Sequence, residues 1–149
     1  MYKEQLVAVN ECKNVGDNRE LAIRRRFGCK PSGHDGRNYM IASDCECGNM
    51  RMSIKSSKFT LMSGSYCKDC RDFNDIWNKY EKTTHSNVFV YVTLDFVAYF
   101  MNINEFRELT YTFGHVERES KKNGGTPKVR FATESKKIIN WLEERVNVA

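Results

Sequence analysis

Proline is scarce in this chain: two residues, Pro31 and Pro127, each in a glycine-containing stretch that reads as loop. No segment repeats, none is of low complexity and none reads as a linker, so residues 1–149 are taken as one domain. That length can bury a core without disulfide or metal staples. No run approaches the roughly 18 apolar residues of a membrane span, so no membrane partner is expected. No phosphate-binding glycine loop and no Ser-His-Asp arrangement stands out. The opening MYKEQLVAVNECKNVGD carries acids and lacks the apolar stretch of a signal peptide. A cytoplasmic setting is expected, where six cysteines are reduced thiols or metal ligands rather than disulfides.

What is present is ordinary globular composition, 40% hydrophobic and 12% aromatic, too apolar for a disordered chain. The net charge is +5, from 24 Lys+Arg against 19 Asp+Glu. The excess is modest but clustered, at Arg24, Arg25 and Arg26, at Lys121 and Lys122, at Lys128 and Arg130, and at Lys136 and Lys137. Any one cluster is ordinarily a solvated helix face. Together they point to a polyanion, with DNA as the expected partner.

Hydrophobic spacing gives the elements. DNRELAIRRRFG predicts a helix capped by Asp17, with Glu20 at capping-box spacing and Gly28 as its stop. Residues 2–12 predict a weaker helix before it. Residues 39–47 and 50–56 predict two strands joined by the hairpin pair Gly48-Asn49, and 59–62 a short third strand. DFNDIWNKYEK predicts a helix capped by Asp72, and the apolar run 88–94 a central strand. Residues 97–103 follow, then a helix capped by Asn102 and Glu105 and stopped by Gly114. A short strand at 129–131 and a helix over 134–146 complete the chain. The fold class is α/β (α+β), a single mixed sheet flanked by helices with an αβββαβ-like order.

Strand alternation gives the hairpin, SDCECGNMRMSIKSSKF, two distinct faces. Asp44 and Glu46 point one way, Cys45 and Cys47 the other; across the turn Ser53 and Lys55 share a face opposite Met52 and Ile54. Where the polar faces coincide, two carboxylates and an ammonium converge. Phosphodiester hydrolysis uses such a set: carboxylates hold Mg²⁺, which polarises the phosphoryl oxygen and acidifies a water, and a lysine orients that water or neutralises developing charge. The alternative is a solvated strand face, with Asp44 and Lys55 an exposed cross-strand pair.

On these residues the chain resembles the PD-(D/E)XK nuclease superfamily. The resemblance implies a restriction-endonuclease-like core over residues 17–94: helix, strand hairpin, helix, central strand. It implies a Mg²⁺-dependent endonuclease with Asp44 as the first acid, Lys55 of Ser53-Ile54-Lys55 as the lysine, and Glu20 as the helical acid. Ser53 stands where the second acid belongs, and Glu46 is the candidate to replace it. A domain of this size would embrace a duplex only as a homodimer. The rival is a binder of nucleic acid or protein that has lost its acid at Ser53, serving a phage or mobile element, for example as an inhibitor of a host nuclease.

Four cysteines fall in two pairs, Cys45 with Cys47 and Cys67 with Cys70, a pattern that suits tetrahedral Zn²⁺. CECGN…LMSGSYCKDC resembles the zinc ribbons that accompany some homing endonucleases, which implies a structural zinc and a DNA-binding module. The alternative reading makes Cys45 and Cys47 the inward residues of a half-buried strand. Cys12 and Cys29 read as isolated small apolar residues. His34, beside Asp35 and Gly36, reads as turn chemistry, and Tyr91, Tyr99 and Tyr111 as packing.

Overall fold

The computed structural model describes residues 1–31, 43–62, 64–118 and 126–147. In chain order these form β1 (Tyr2–Gln5), α1 (Val15–Phe27), β2 (Lys30–Pro31), β3 (Cys45–Cys47), β4 (Met50–Lys55) and β5 (Thr60–Leu61). A 3-10 turn (Gly64–Cys67) leads to α2 (Phe73–Thr83), β6 (Val88–Val92), β7 (Val97–Met101), α3 (Ile103–Phe113), β8 (Gly114–Arg118), β9 (Pro127–Phe131) and α4 (Lys136–Val146). The fold is mixed α and β, as the spacing predicts, but it holds two sheets rather than one. A six-stranded sheet runs β1-β7-β6-β4-β3-β2, and a three-stranded sheet runs β5-β9-β8.

The pairing of β4 with β6 is parallel and the other pairings are antiparallel. Alternation along β6 sorts the large sheet into two packed faces. Phe89 and Tyr91 point into the larger core, built with Trp77 and Tyr80 of α2, Phe106 and Leu109 of α3, Phe131 of β9, and Ile138 and Leu142 of α4. Val90 and Val92 point the other way, into a smaller core with Ala22 and Ile23 of α1, Cys45 and Met52. The rings of Phe89 and Phe106 stack with centroids 4.8 Å apart, tying α3 to the central strand.

The helix ends follow local chemistry. The Asp72 side chain accepts from the Asp75 N–H, and Asn102 with Glu105 forms a complete capping box. At the Gly48-Asn49 turn Gly48 adopts φ +58, a conformation that disfavours a side chain. Helix α1 departs from expectation. It starts at Val15 after Asn14, so Asp17 sits in the first turn and makes no capping box with Glu20. Its stop is as predicted: Gly28 is left-handed at φ +66.

Other departures have tertiary causes. Residues 2–5, expected in a helix, form edge strand β1 because the free edge of β7 offers a ladder for them. The strand at 59–62 forms at Thr60–Leu61, yet it pairs with β9 in the second sheet and not with the hairpin. β8 was not anticipated; it leaves α3 without a loop. Gly114 permits this, since a Cβ there would stand 2.4 Å from the Thr110 carbonyl oxygen. The prolines lie in β2 and at the first residue of β9, positions where a missing N–H is tolerated. Among the described residues no helix is long and apolar enough to cross a membrane. The predicted strand residues 39–42 lie outside the described residues, as does His34.

Candidate functional site

The candidate site gathers where β3 and β4 stop pairing. The ladder puts Cys45 opposite Met52, so the next row brings Asp44 opposite Ser53, and the two polar faces do coincide. The Asp44 N–H donates to the Met52 carbonyl at 2.8 Å. Its own carboxylate accepts from the Ile54 N–H at 2.6 Å. A side-chain oxygen thus takes the place of a main-chain carbonyl, and the carboxylate is pinned at the rim of the sheet, within electrostatic reach of groups on both faces.

Glu20 approaches from α1. It is half-buried, and burial first, then the Asp44 charge, pushes its pKa up to about 7. Arg24, one turn along, opposes that rise. Lys55 lies beyond Ser53 on the same face of β4, the face turned away from α1. Burial lowers its pKa, and the attraction of Asp44 holds it up. Its ammonium sits over the Phe59 ring, 5.6 Å from the centroid. The Asp44 charge therefore acts on both a helical acid and a strand lysine.

Ser53 and Glu46 do not join this group as ligands. Ser53 is 5% exposed and lies against the Tyr80 phenol, whose pKa burial raises to about 12. Glu46 pairs across the ladder with Arg51, four residues before Lys55, roughly 13 Å away at strand rise. There its carboxylate meets His85 Nε2 at 3.1 Å and accepts from Ser43 Oγ at 3.3 Å. Arg51 closes the same cluster by donating from Nε to the His85 carbonyl at 2.6 Å. Glu46 thus belongs to the turn end of the hairpin, tied to the segment that leads into β6.

No family model, curated protein or solved structure matches this chain.

The four cysteines of the zinc pattern do not meet. Cys45 is buried in the smaller core and Cys47 packs against it, whereas Cys67 and Cys70 are buried in the larger core across the sheet. The reason is topological. Nineteen residues of spacing look compact in sequence, but β4 intervenes and the chain crosses to the other face before Cys67. Cys29 is not isolated as expected: extending the β2–β3 register places it opposite Cys47. Burial raises the Cys29 thiol to about 11 and the Cys45 thiol to about 12, so these two stay protonated near neutrality. Among the described residues no cluster of three or more His, Cys, Asp or Glu side chains forms that could hold a metal ion.

The basic clusters are partly neutralised by the chain itself. Arg25 is bridged to Glu11, and Arg26 to Glu4. Arg130 Nε lies 2.8 Å from Glu117, and Lys128 is 3.8 Å from the same carboxylate. Lys121 and Lys122 lie outside the described residues. A phosphate approaching these cations would exchange for an existing ion pair.

Two residues at the site were missed in sequence. Arg19 was not singled out, although it shares a helical stripe with Ala22 and Ile23 at i+3 and i+4. That spacing was the available signal. Tyr91 was read only as core, yet it is the ladder partner of Lys55.

Proposed function

We propose that this chain is a nucleic-acid phosphodiesterase acting with Mg²⁺, its acids Asp44 and Glu20 and its lysine Lys55. What supports the reading is that the Asp44 carboxylate, pinned by the Ile54 N–H at the end of the hairpin, is coupled electrostatically to both Glu20 and Lys55. The element order supports it: α1, the antiparallel β2-β3-β4 run, α2, then β6 parallel to β4. Two carboxylates suit Mg²⁺, which keeps several waters and takes its other ligands from substrate phosphate. When bound, the ion polarises the phosphoryl oxygen and acidifies a water. The residues of the chain do the rest. Asp44, fixed by the Ile54 N–H, sets the position of the acidic pair. Glu20, whose proton leaves near neutrality, would be the second carboxylate to hold the ion. Lys55 stands beside Asp44 to orient water or balance charge on the phosphate. A duplex substrate would call for two copies of so small a domain, and a homodimer is part of the proposal.

The experiment is a cleavage assay on single- and double-stranded DNA and RNA with Mg²⁺ or Mn²⁺. Wild-type protein should cleave at least one of these. Lys55→Ala and Asp44→Asn should lose 10²-fold or more, about 3 kcal/mol in barrier. Asp44→Asn keeps an oxygen for the Ile54 N–H, so its melting temperature should hold. No cleavage under any condition would refute the enzyme reading.

A second reading is a binder of nucleic acid or protein on the same scaffold. Buried Ser53 at the motif's acid position and Glu46 committed to His85 favour it. Such a protein would bind DNA with steeply salt-dependent affinity and without metal-dependent cleavage.

A further inference from the structure

Three thiols gather in the smaller core, and two of them face each other across a ladder. All six cysteines are free. Cys29 and Cys45 are buried in that core and Cys47 packs against it. The β2–β3 register pairs Lys30 with Glu46 and Pro31 with Cys45. One step back along β2, it sets Cys29 opposite Cys47.

The proline decides what kind of pair this is. Directly opposite residues in an antiparallel ladder alternate between hydrogen-bonded and non-hydrogen-bonded pairs. Pro31 has no N–H to exchange. Lys30 and Glu46 are therefore the hydrogen-bonded pair, and Cys29 with Cys47 falls on a non-hydrogen-bonded one. Such pairs bring their side chains closest, with Cα atoms about 4.5 Å apart. A disulfide accepts Cα separations from about 4.4 to 6.8 Å. Neighbouring contacts agree with the register. Cys47 Sγ donates to the Phe27 carbonyl at 3.3 Å, two residues before Cys29. The Cys29 thiol is also in hydrogen-bond contact with Cys47 and with Cys45. Cys45 is the poorer partner, since it stands opposite Pro31 and is 0% exposed.

Access orders the two sulfurs. Cys29 is 8% exposed, whereas Cys47 is half-buried at the turn end of the hairpin. A reagent from solution meets Cys47 first. Burial holds the Cys29 thiol protonated near neutrality, which suits it to the second attack, made at close quarters. We propose that Cys29 and Cys47 form a cross-strand dithiol that a low-molecular-weight disulfide converts reversibly to a disulfide, with Cys47 attacked into the exchange first and Cys29 closing it. The Cys47 thiolate attacks one sulfur of the reagent, forms a mixed disulfide and expels one thiolate. Cys29 loses its proton to solvent, attacks Cys47 Sγ and expels the second thiolate. The chain gives up two protons and two electrons, and the reagent takes them up as two thiols. The bond ties the end of α1 to β3, the strand entered from Asp44. None of this rests on the phosphodiesterase reading.

The test treats the folded full chain with glutathione disulfide in EDTA, blocks the remaining thiols and maps tryptic peptides. Trypsin cuts after Arg26, Arg37 and Arg51 but not between Lys30 and Pro31, so Cys29 leaves in peptide 27–37 and Cys47 in peptide 38–51. The map should join these two peptides, fragmentation should place the bond on Cys47, and dithiothreitol should release it. In a buffer of reduced and oxidised glutathione, the folded chain should favour this bond at least about tenfold over the urea-unfolded chain. Cys47→Ser should slow the oxidation of Cys29 at least about tenfold. A mixed disulfide that stops at Cys47, a Cys29 bond to Cys45, or a bond confined to Cys67 and Cys70 would overturn the proposal. So would a Cys29–Cys47 bond no more favoured in the folded chain than in the unfolded one, or an unchanged Cys29 rate in Cys47→Ser. If Cys47→Ser does not fold, the wild-type map and the glutathione equilibrium still decide.

Discussion

Replacing Glu20 with Gln tests the acidic pair independently of any catalysis. In the folded protein the pKa of Glu20 stands at about 7, against an ordinary 4.5, because burial and the neighbouring Asp44 both oppose its charge. The folded state therefore holds a proton that the unfolded chain releases between those values. By linkage, stability falls as pH rises whenever the native state binds more protons. The contribution of Glu20 is thus fully present below about pH 4.5 and lost as pH rises through about 7. The shift is equivalent to about 3 kcal/mol, and its remaining solvent contact reduces this to about 2 kcal/mol. Gln keeps the shape and cannot ionise. Glu20→Gln should match wild type near pH 4.5 and exceed it by about 2 kcal/mol at pH 8, roughly 4–8 °C in melting temperature for a chain of this size. Thermal melts of the two proteins in EDTA from pH 4.5 to 8 measure this, and the difference between them isolates Glu20. Parallel curves across the range would refute the argument that Asp44 and burial act together on Glu20.

Three further outcomes follow from the packing. Ser53→Glu would restore an acid to the nuclease-like motif, but it buries a carboxylate against Tyr80, so urea titration should show a loss of about 3 kcal/mol rather than new activity. Cys45→Ala and Cys70→Ala lie in separate cores, so their stability costs should add to within about 0.5 kcal/mol in a double-mutant cycle, whereas one zinc joining the two pairs would make them strongly non-additive. Gly114→Ala should destabilise by about 2 kcal/mol or more in the same assay, since its Cβ would meet the Thr110 carbonyl at 2.4 Å and Val129 Cγ1 at 2.9 Å.

Local chemistry made much of the fold legible in sequence. The Gly48-Asn49 turn, the Asp72 and Asn102 caps, the Gly28 stop and the apolar run of β6 depend on residues within a few positions of one another, and each formed as spacing predicts. Alternation likewise put Asp44 and Glu46 on one face of the hairpin, opposite Cys45 and Cys47. What alternation could not supply was distance along that face. The register assigned Glu46 to His85 and left Asp44 with Lys55, because a ladder separates residues that a face groups together. Nor could spacing tell which core each cysteine pair enters. The crossing from β4 to α2 decided that, and it sent Cys67 and Cys70 to the far side of the sheet. β1 became a strand only because β7 offered a free edge, and β5, legible as a strand, found its partner in β9 rather than in the hairpin; both are long-range conditions invisible in segments of two to four residues. The same holds for Arg19. Its i+3 and i+4 partners mark it as inward, but only the packing of α1 on the sheet shows that it is buried with its Nε unpartnered. Short-range chemistry fixed the elements and their faces; long-range pairing chose the neighbours, and with them the site.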